Sequence, residues 1–367
     1  MLKRYHIKDY NFKLVAFSVI LTVVGILVIG SANASNQKKQ IIGLLLGLGM
    51  MLFMSLVDYA FLLKFSWLIY IMNIVLLLMV KYKGDDAGGS QRWVEIAGIR
   101  FQPSELGKIL LILFFAYYFM RHEEHLNTVR IIVSSLVLAA IPMGLILLQP
   151  DLSTTIVTFL IFLALLFIAG LSYKIIVTVM AIAIPCVIVF LNVITDPNQK
   201  ILSHYQWLRI MAWLDPEKYS DSSYQQQNSI MAIGSGQLWG KGLNNDDVAS
   251  VKNGNWISEP HTDFIFAVAG EELGFVGSAV IIGLLLLIAL ECILIARKAK
   301  DLAGKLICCG MAALVSFQSF VNIGVTTGLL PNTGLPLPFV SYGLTSLVTL
   351  FIGIGIVLNV GLQPKKY

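Results

Sequence analysis

Residues Leu14–Gly30 read LVAFSVILTVVGILVIG, an apolar run with no charged side chain. A helix needs about 20 such residues to cross roughly 30 Å of hydrocarbon. With its flanks this run is long enough, and the pattern repeats along the chain. Ten spans are expected, at approximately 12–31, 39–57, 60–80, 105–120, 130–148, 152–169, 172–194, 263–296, 304–328 and 340–361. Several abut so closely that they must form hairpins, as across Gln149-Pro150-Asp151 and Gly170-Leu171-Ser172. The fold class is therefore an all-α polytopic membrane protein. One integral membrane domain covers 1–367, and an extracellular loop at 195–262 joins helices 7 and 8.

Composition agrees. Of 367 residues, 57% are hydrophobic and 13% charged, with mean hydropathy +0.80. A soluble domain carries about 25% charged residues. A soluble enzyme, a disordered regulator and a secreted disulfide scaffold are excluded. Cys186, Cys292, Cys308 and Cys309 all lie in apolar runs, where they read as small buried side chains rather than a disulfide or zinc framework. Lys3, Arg4, Lys8 and Lys13 before the first run, with Ala32-Asn33-Ala34 after it, imitate a cleavable signal peptide. The run exceeds a usual signal core and nine more spans follow, so an uncleaved first helix is expected.

Lysine and arginine in the short loops set the orientation. One side holds 14, including Lys64, Arg121, Arg130, Arg297, Lys298 and Lys365, against 7 on the other. Both termini are then cytoplasmic, and the net charge of +5 needs no nucleic-acid partner. The basic residues form no stripe suited to a phosphate backbone. Cytoplasmic loops are too short for a catalytic domain, and no phosphate-binding glycine loop of the Walker type is present. Any chemistry is expected outside.

Polar residues at membrane depth are costly and mark function by default. Here they gather where helices begin on the outer side, in Arg92-Trp93 through Phe101-Gln102-Pro103-Ser104-Glu105-Leu106-Gly107-Lys108, in Gln149-Pro150-Asp151-Leu152-Ser153-Thr154, and in Glu259-Pro260-His261-Thr262-Asp263-Phe264. A carboxylate at a helix start can simply cap free amides. Three at one membrane face argue for a shared pocket. Glu105 and Lys108 share one helix face, either as an ordinary ion pair or as a cation offered to an anionic ligand. Asp151 suits an N-cap. Asp263 follows Thr262, which can itself cap, leaving the carboxylate free. Glu271 and Glu272 come two turns later, and one is expected to meet a buried partner. The Gly270 and Gly274 spacing suits close helix packing. His261 with Asp263 offers too few ligands for a metal site.

The outer loop carries Trp207, Trp213, Trp239 and Trp256, together with Arg209, Gln225-Gln226-Gln227-Asn228 and Gly240-Lys241-Gly242. Aromatics beside amides suit a sugar, and glycine with lysine suits a phosphate; an interfacial aromatic belt with turns is the plainer account. The last outer loop, Leu330-Pro331-Asn332-Thr333-Gly334-Leu335-Pro336-Leu337-Pro338-Phe339-Val340-Ser341-Tyr342-Gly343, implies a rigid re-entrant turn. It would bring Ser341 and Tyr342 to the same pocket.

Taken in order, these segments resemble the SEDS family (shape, elongation, division and sporulation). The resemblance rests on Arg92-Trp93 with Gln102-Pro103-Ser104-Glu105, Gln149-Pro150-Asp151-Leu152, Arg209 with Asp215-Pro216, His261-Thr262-Asp263-Phe264-Ile265-Phe266, Glu271-Glu272-Leu273-Gly274-Phe275, and Pro331 through Ser341-Tyr342-Gly343. Leu344 departs from the family's usual second glycine. The resemblance implies a ten-helix peptidoglycan glycosyltransferase of the bacterial cytoplasmic membrane. Such an enzyme polymerises lipid II at the outer face, releasing undecaprenyl diphosphate, beside a class B penicillin-binding protein. It makes Asp263 the catalytic carboxylate and assigns supporting roles to Glu105, Lys108 and Asp151. Lys108 is the favoured cation for the leaving group, with Arg209, Lys241 or a divalent cation (Mg or Mn) as alternatives. Glu105, Asp151 or Asp263 would hold such a metal. The wording around Pro336 and Ser341 looks closest to the RodA branch, which implies cell-wall elongation and rod shape. A flippase for the same lipid-linked precursor is the competing reading, and a scaffold that only recruits the penicillin-binding protein is the third. One-sided clustering of the carboxylates and the lack of an inverted repeat weigh against the flippase.

Overall fold

The computed structural model describes residues 9–87, 90–96, 99–178, 204–244 and 256–365, with 181, 185, 194, 250 and 254. The chain runs α1 Phe12–Ala32, α2 Ala34–Leu56, α3 Tyr59–Lys64, α4 Ser66–Lys83, β1 Asp85–Ala87, β2 Ser90–Ile96, β3 Ile99–Phe101, α5 Pro103–Arg121, α6 Val129–Leu147, α7 Leu152–Ala169, α8 His204–Leu214, α9 Ser220–Ser235, α10 Ile265–Lys298, α11 Leu302–Thr326 and α12 Leu344–Gly361. Among the described residues, eight helices are long and apolar enough to cross a membrane: α1, α2, α5, α6, α7, α10, α11 and α12. Helix α4 is a shorter apolar one. The expected seventh span at 172–194 is helical at 173–178; most of it, with Cys186, lies outside the described residues. So do Lys3, Arg4, Lys8 and Lys366.

Three features differ from the expectation. The third span is split at Phe65, so a short α3 precedes α4. A three-stranded antiparallel sheet occupies 85–101, with β2 paired to both β1 and β3. Its strands are too short for a periodicity to stand out, although Gly88-Gly89 and Gly98 punctuate the sequence between them. The loop at 195–262 is also no simple connection. It holds α8 and α9, with Trp207 Nε1 donating to the Ile194 carbonyl at 2.9 Å and Trp213 Nε1 to that of Gly328 at 2.9 Å.

Helices α5 and α11 form the centre, the most enclosed of the spans. Phe114, Phe115 and Phe119 of α5 are fully buried. The lipid-facing helices instead expose large apolar side chains, among them Leu45, Leu68 and Leu286, as hydrocarbon solvent allows.

Both described ends of the chain meet at one end of the bundle. Asn11 Nδ2 donates to Glu291 near the end of α10. Gln363 Nε2 donates to Asp58, and the Lys365 amide to the Lys298 carbonyl. The site lies at the opposite end. Helix α10 has 34 residues, more than the roughly 20 that a crossing needs. Asp263 precedes its first turn, beyond the spanning segment.

The helix α10 breaks at Gly274, whose φ of 65° and ψ of −163° are not helical. Residues 237–242 pack along the break. Lys241 and Gly242 amides donate to the Glu271 and Glu272 carbonyls, and the Phe275 and Val276 amides to those of Gln237 and Leu238. The glycines at 270 and 274 do serve close packing, but against Ile233 of α9 and this loop, not against a second spanning helix.

Candidate functional site

Four elements converge on Asp263. Arg92 comes from β2, Arg209 from α8, Asp151 from the start of α7, and Gly334 from the loop between α11 and α12. Gly334 has φ +73°, and a Cβ placed on it would lie 3.1 Å from Asp263 Oδ2, 3.6 Å from Arg92 Nη1 and 3.9 Å from Arg209 Nη1. One carboxylate and two guanidiniums thus surround the bare face of a glycine.

Arg92 is oriented by its neighbours. Its Nη2 donates to the Pro150 carbonyl at 2.9 Å, and its Nε lies 3.7 Å from Asp151 Oδ2. Asp151 caps α7, accepting from the Thr154 amide at 3.1 Å and hydroxyl at 2.8 Å. Its buried carboxylate therefore closes a helix and also faces the Arg92 guanidinium.

Asp263 keeps a partly accessible edge, yet protein encloses the rest. Burial pushes its carboxyl up from 3.8 to about 6; Arg92 and Arg209 oppose that rise, while Asp151 and Glu259 add to it. Desolvation wins because neither arginine cancels the loss of water. His261 is held below its ordinary value by burial, against the pull of Glu259. Its Nε2 lies 2.9 Å from Asn36 Nδ2.

The Leu330–Gly343 loop is tied to its surroundings at several points. Ser153 donates to the Thr333 carbonyl, Gln318 to that of Pro336 and Asn322 to that of Leu335. Ser341 is a clamp: its hydroxyl donates to the Thr262 carbonyl at 2.7 Å and accepts from the Leu337 amide at 2.7 Å. The Tyr342 amide donates to the His261 carbonyl, and the two rings stand 5.4 Å apart. Both residues fix the turn that carries Asp263.

Glu105 and Lys108 form a separate buried cluster. Lys108 Nζ donates to Glu105 Oε1 at 2.7 Å and to Gln318 Oε1 at 2.6 Å, and Ser346 donates to Glu105 Oε2. Lys241 pairs with Glu271 at 2.7 Å, two turns along α10 from Asp263. Glu272 accepts from Ser31, so both glutamates have partners. The carboxylates named for a divalent cation do not form a donor set. Glu105 is tied to Lys108, Asp151 to a cap and Arg92, and Asp263 lies between guanidiniums. Among the described residues no three His, Cys, Asp or Glu groups converge.

Sequence reasoning quoted Arg92 in its motif without singling it out, and it passed over Gln318, Asn322 and Gly334. The two amides had a signal: polar residues four apart on one face of an apolar helix.

Fold and site together define a polytopic membrane protein with a desolvated carboxylate and paired arginines at one end of its bundle. Residues 10–366 match the model of the cell cycle protein family of FtsW, RodA and SpoVE; the chain belongs to this family, the SEDS family its motifs resemble. It is an integral protein of the bacterial cytoplasmic membrane. Among similar proteins is the probable peptidoglycan glycosyltransferase FtsW of Geobacter sulfurreducens, 32% identical, with 98% of this chain and 97% of the relative covered. That of Bacillus subtilis is 32% identical, covering 100% and 93%. In structure, a chain of a peptidoglycan synthase complex for polymerization and crosslinking superposes with TM-score 0.79 at 28% identity, covering 96% and 97%. The rod shape determining protein RodA of Thermus thermophilus gives 0.69 at 27%, covering 96% of each chain.

Proposed function

We propose that this protein polymerises lipid II into glycan strands at the outer face of the membrane, with Asp263 as general base. The observation that carries the reading is Asp263 Oδ2 beside Gly334, with Arg92 and Arg209 at the same point. Joining an acceptor 4-hydroxyl to the anomeric carbon, from an α-linked donor to a β-linked polymer, calls for one inverting displacement. The base takes the hydroxyl proton, the new C1–O4 bond forms, and the bond to undecaprenyl diphosphate breaks. A carboxyl near 6 is a better base than an exposed aspartate near 3.9. The departing diphosphate needs positive charge, which Arg92 and Arg209 offer next to the base. Lys108 and Lys241 support this from a distance, through the ion pairs described above.

The termini face the cytoplasm on this reading, since the charged site must face the outer leaflet, where strands are built. A class B penicillin-binding protein is the expected partner, in keeping with the similarity to a chain of a synthase complex. For the cellular process, the Pro336–Ser341 wording favours elongation and rod shape, whereas the FtsW names of full-length relatives favour division. Depletion decides between them: filaments support division and rounded cells support elongation.

The test is polymerisation of lipid II by the purified protein in detergent, with and without a class B partner and with EDTA or added Mg. Asp263→Asn should lose roughly 10²–10⁴-fold in rate while remaining folded. Full polymerisation by that variant sinks the assignment of the base. No strands from wild type under any condition, with lipid II translocated in vesicles, would instead establish the flippase.

A further inference from the structure

We propose that Asn322 of α11 is a positioning residue for this reaction, setting the Asp263 carboxylate against Gly334; the inference rests on Asp263 being the base. Asn322 Nδ2 donates to two backbone carbonyls at once, that of Asp263 at 2.8 Å and that of Leu335 at 2.6 Å. One amide therefore ties the turn carrying the base to the loop carrying Gly334. Because Leu335 follows Gly334 directly, the two carbonyls flank the place where a Cβ on Gly334 would come within 3.1 Å of the Asp263 carboxylate.

The tie belongs to a chain of oriented amides. Gln318 lies one turn before Asn322, on the same face of α11, and donates to the Pro336 carbonyl at 2.9 Å. Its own oxygen accepts from Lys108 Nζ at 2.6 Å. This fixes which end of the carboxamide faces the loop, because an ammonium only donates. Lys108, held in turn by Glu105, thus acts on the site through Gln318. All four side chains are buried.

Simple filling of space does not explain Asn322. Among the described residues its buried Oδ1 has no hydrogen-bond partner, a cost that a leucine of similar size would avoid. What leucine lacks is the donor for two enclosed carbonyls. The polar side chain is kept at the price of an orphan oxygen, which points to the bridge itself.

The test compares wild type with Asn322→Leu, full length with its class B partner. Steady-state rates on lipid II are read from pH 5 to 8, along with amide hydrogen exchange over 331–342. Expected are a kcat lower by roughly tenfold to a hundredfold, a KM within about threefold, a displaced acid limb of the pH profile, and exchange quickened about tenfold in 333–337. A purely structural asparagine would lower the unfolding temperature and leave kcat and the acid limb of the folded enzyme alone. That result overturns the proposal. Exchange does not depend on turnover: if wild type makes no glycan, quickened exchange confined to the loop upholds the positioning while the reaction falls. Unchanged exchange ends both. Should Asn322→Leu fail to accumulate, Gln318→Ala removes the neighbouring tie and is read in the same way.

Discussion

Lys108 Nζ lies 2.7 Å from Glu105 Oε1 and 2.6 Å from Gln318 Oε1, with all three side chains closed off from solvent. Removing one member of a buried ion pair strands the other, at a cost of about 3–5 kcal/mol, whereas replacing both by neutral groups is often tolerated. Lys108→Met and Glu105→Gln should each lower the unfolding temperature sharply in detergent, and the double variant should recover most of the loss. Polymerisation by the double variant within tenfold of wild type is expected if Lys108 acts through Gln318. A stable double variant with no activity would place the ammonium on the substrate instead.

The raised carboxyl of Asp263 predicts both a rate profile and a stability profile. As base it must be ionised, so the rate should fall about tenfold per unit below pH 6 and level off above it. For stability, the folded value of about 6 exceeds the ordinary 3.8, so the fold holds this proton more tightly than the unfolded chain does. That contribution is fully present below 3.8 and lost as pH rises through 6. Asp263→Asn should therefore melt higher than wild type at pH 7, with the gap closing as pH falls towards 4. Equal melting of the two proteins at every pH would mean that the carboxylate is not desolvated.

Gly334→Ala tests the approach on which the site is built. At φ +73° any side chain is strained, by roughly 1–2 kcal/mol, and the new Cβ would meet the Asp263 carboxylate at 3.1 Å. The carboxylate must give by a few tenths of an ångström, less than the full ångström that costs on the order of a hundredfold, so a loss of roughly threefold to tenfold in rate is expected. The variant should insert and fold with near wild-type yield. Turnover close to wild type would show that the Gly334 contact is not part of the reacting geometry.

The spans were legible because apolar length is a one-dimensional signal, and hydrocarbon enforces it. Hence α1, α7 and α12 fall near their expected bounds, while α3 escaped because the sequence on both sides of Lys64-Phe65-Ser66 is apolar and reads as one span. The sheet at 85–101 and the helices α8 and α9 are not long apolar runs, and composition constrains such elements little. Asp263, Arg209 and Asp151 could be named from their motifs, and a pocket shared by Asp151 and Asp263 could be expected, yet the approach of two arginines to them could not be read. It depends on β2, which delivers Arg92, and on a loop whose path is set by Ser153, Gln318 and Asn322. Glu105 with Lys108 and Lys241 with Glu271 show the limit from the other side. Sequence gives the charges, and only packing shows that they are already paired.

The break in α10 yields the last prediction. Gly274 adopts φ 65° and ψ −163°, a region essentially closed to other residues at a cost of about 1–3 kcal/mol. A Cβ there would come within 2.3 Å of the Gly240 amide nitrogen and 2.8 Å of the Leu238 carbonyl. The same four-bond seam holds residues 237–242 on the helix and keeps Lys241 on Glu271. Gly274→Ala must therefore either straighten α10 or expel the loop, and each leaves backbone groups undonated. Gly283 lies in the same helix with nothing within 4 Å of a Cβ, so Gly283→Ala should be neutral or stabilising by up to about 1 kcal/mol. The expected contrast is a marked drop in unfolding temperature for Gly274→Ala, with quickened amide exchange at 237–242 and 271–276, and none of this for Gly283→Ala. If both alanines behave alike, the seam contributes nothing to stability, and the break is a bend that the helix tolerates without it.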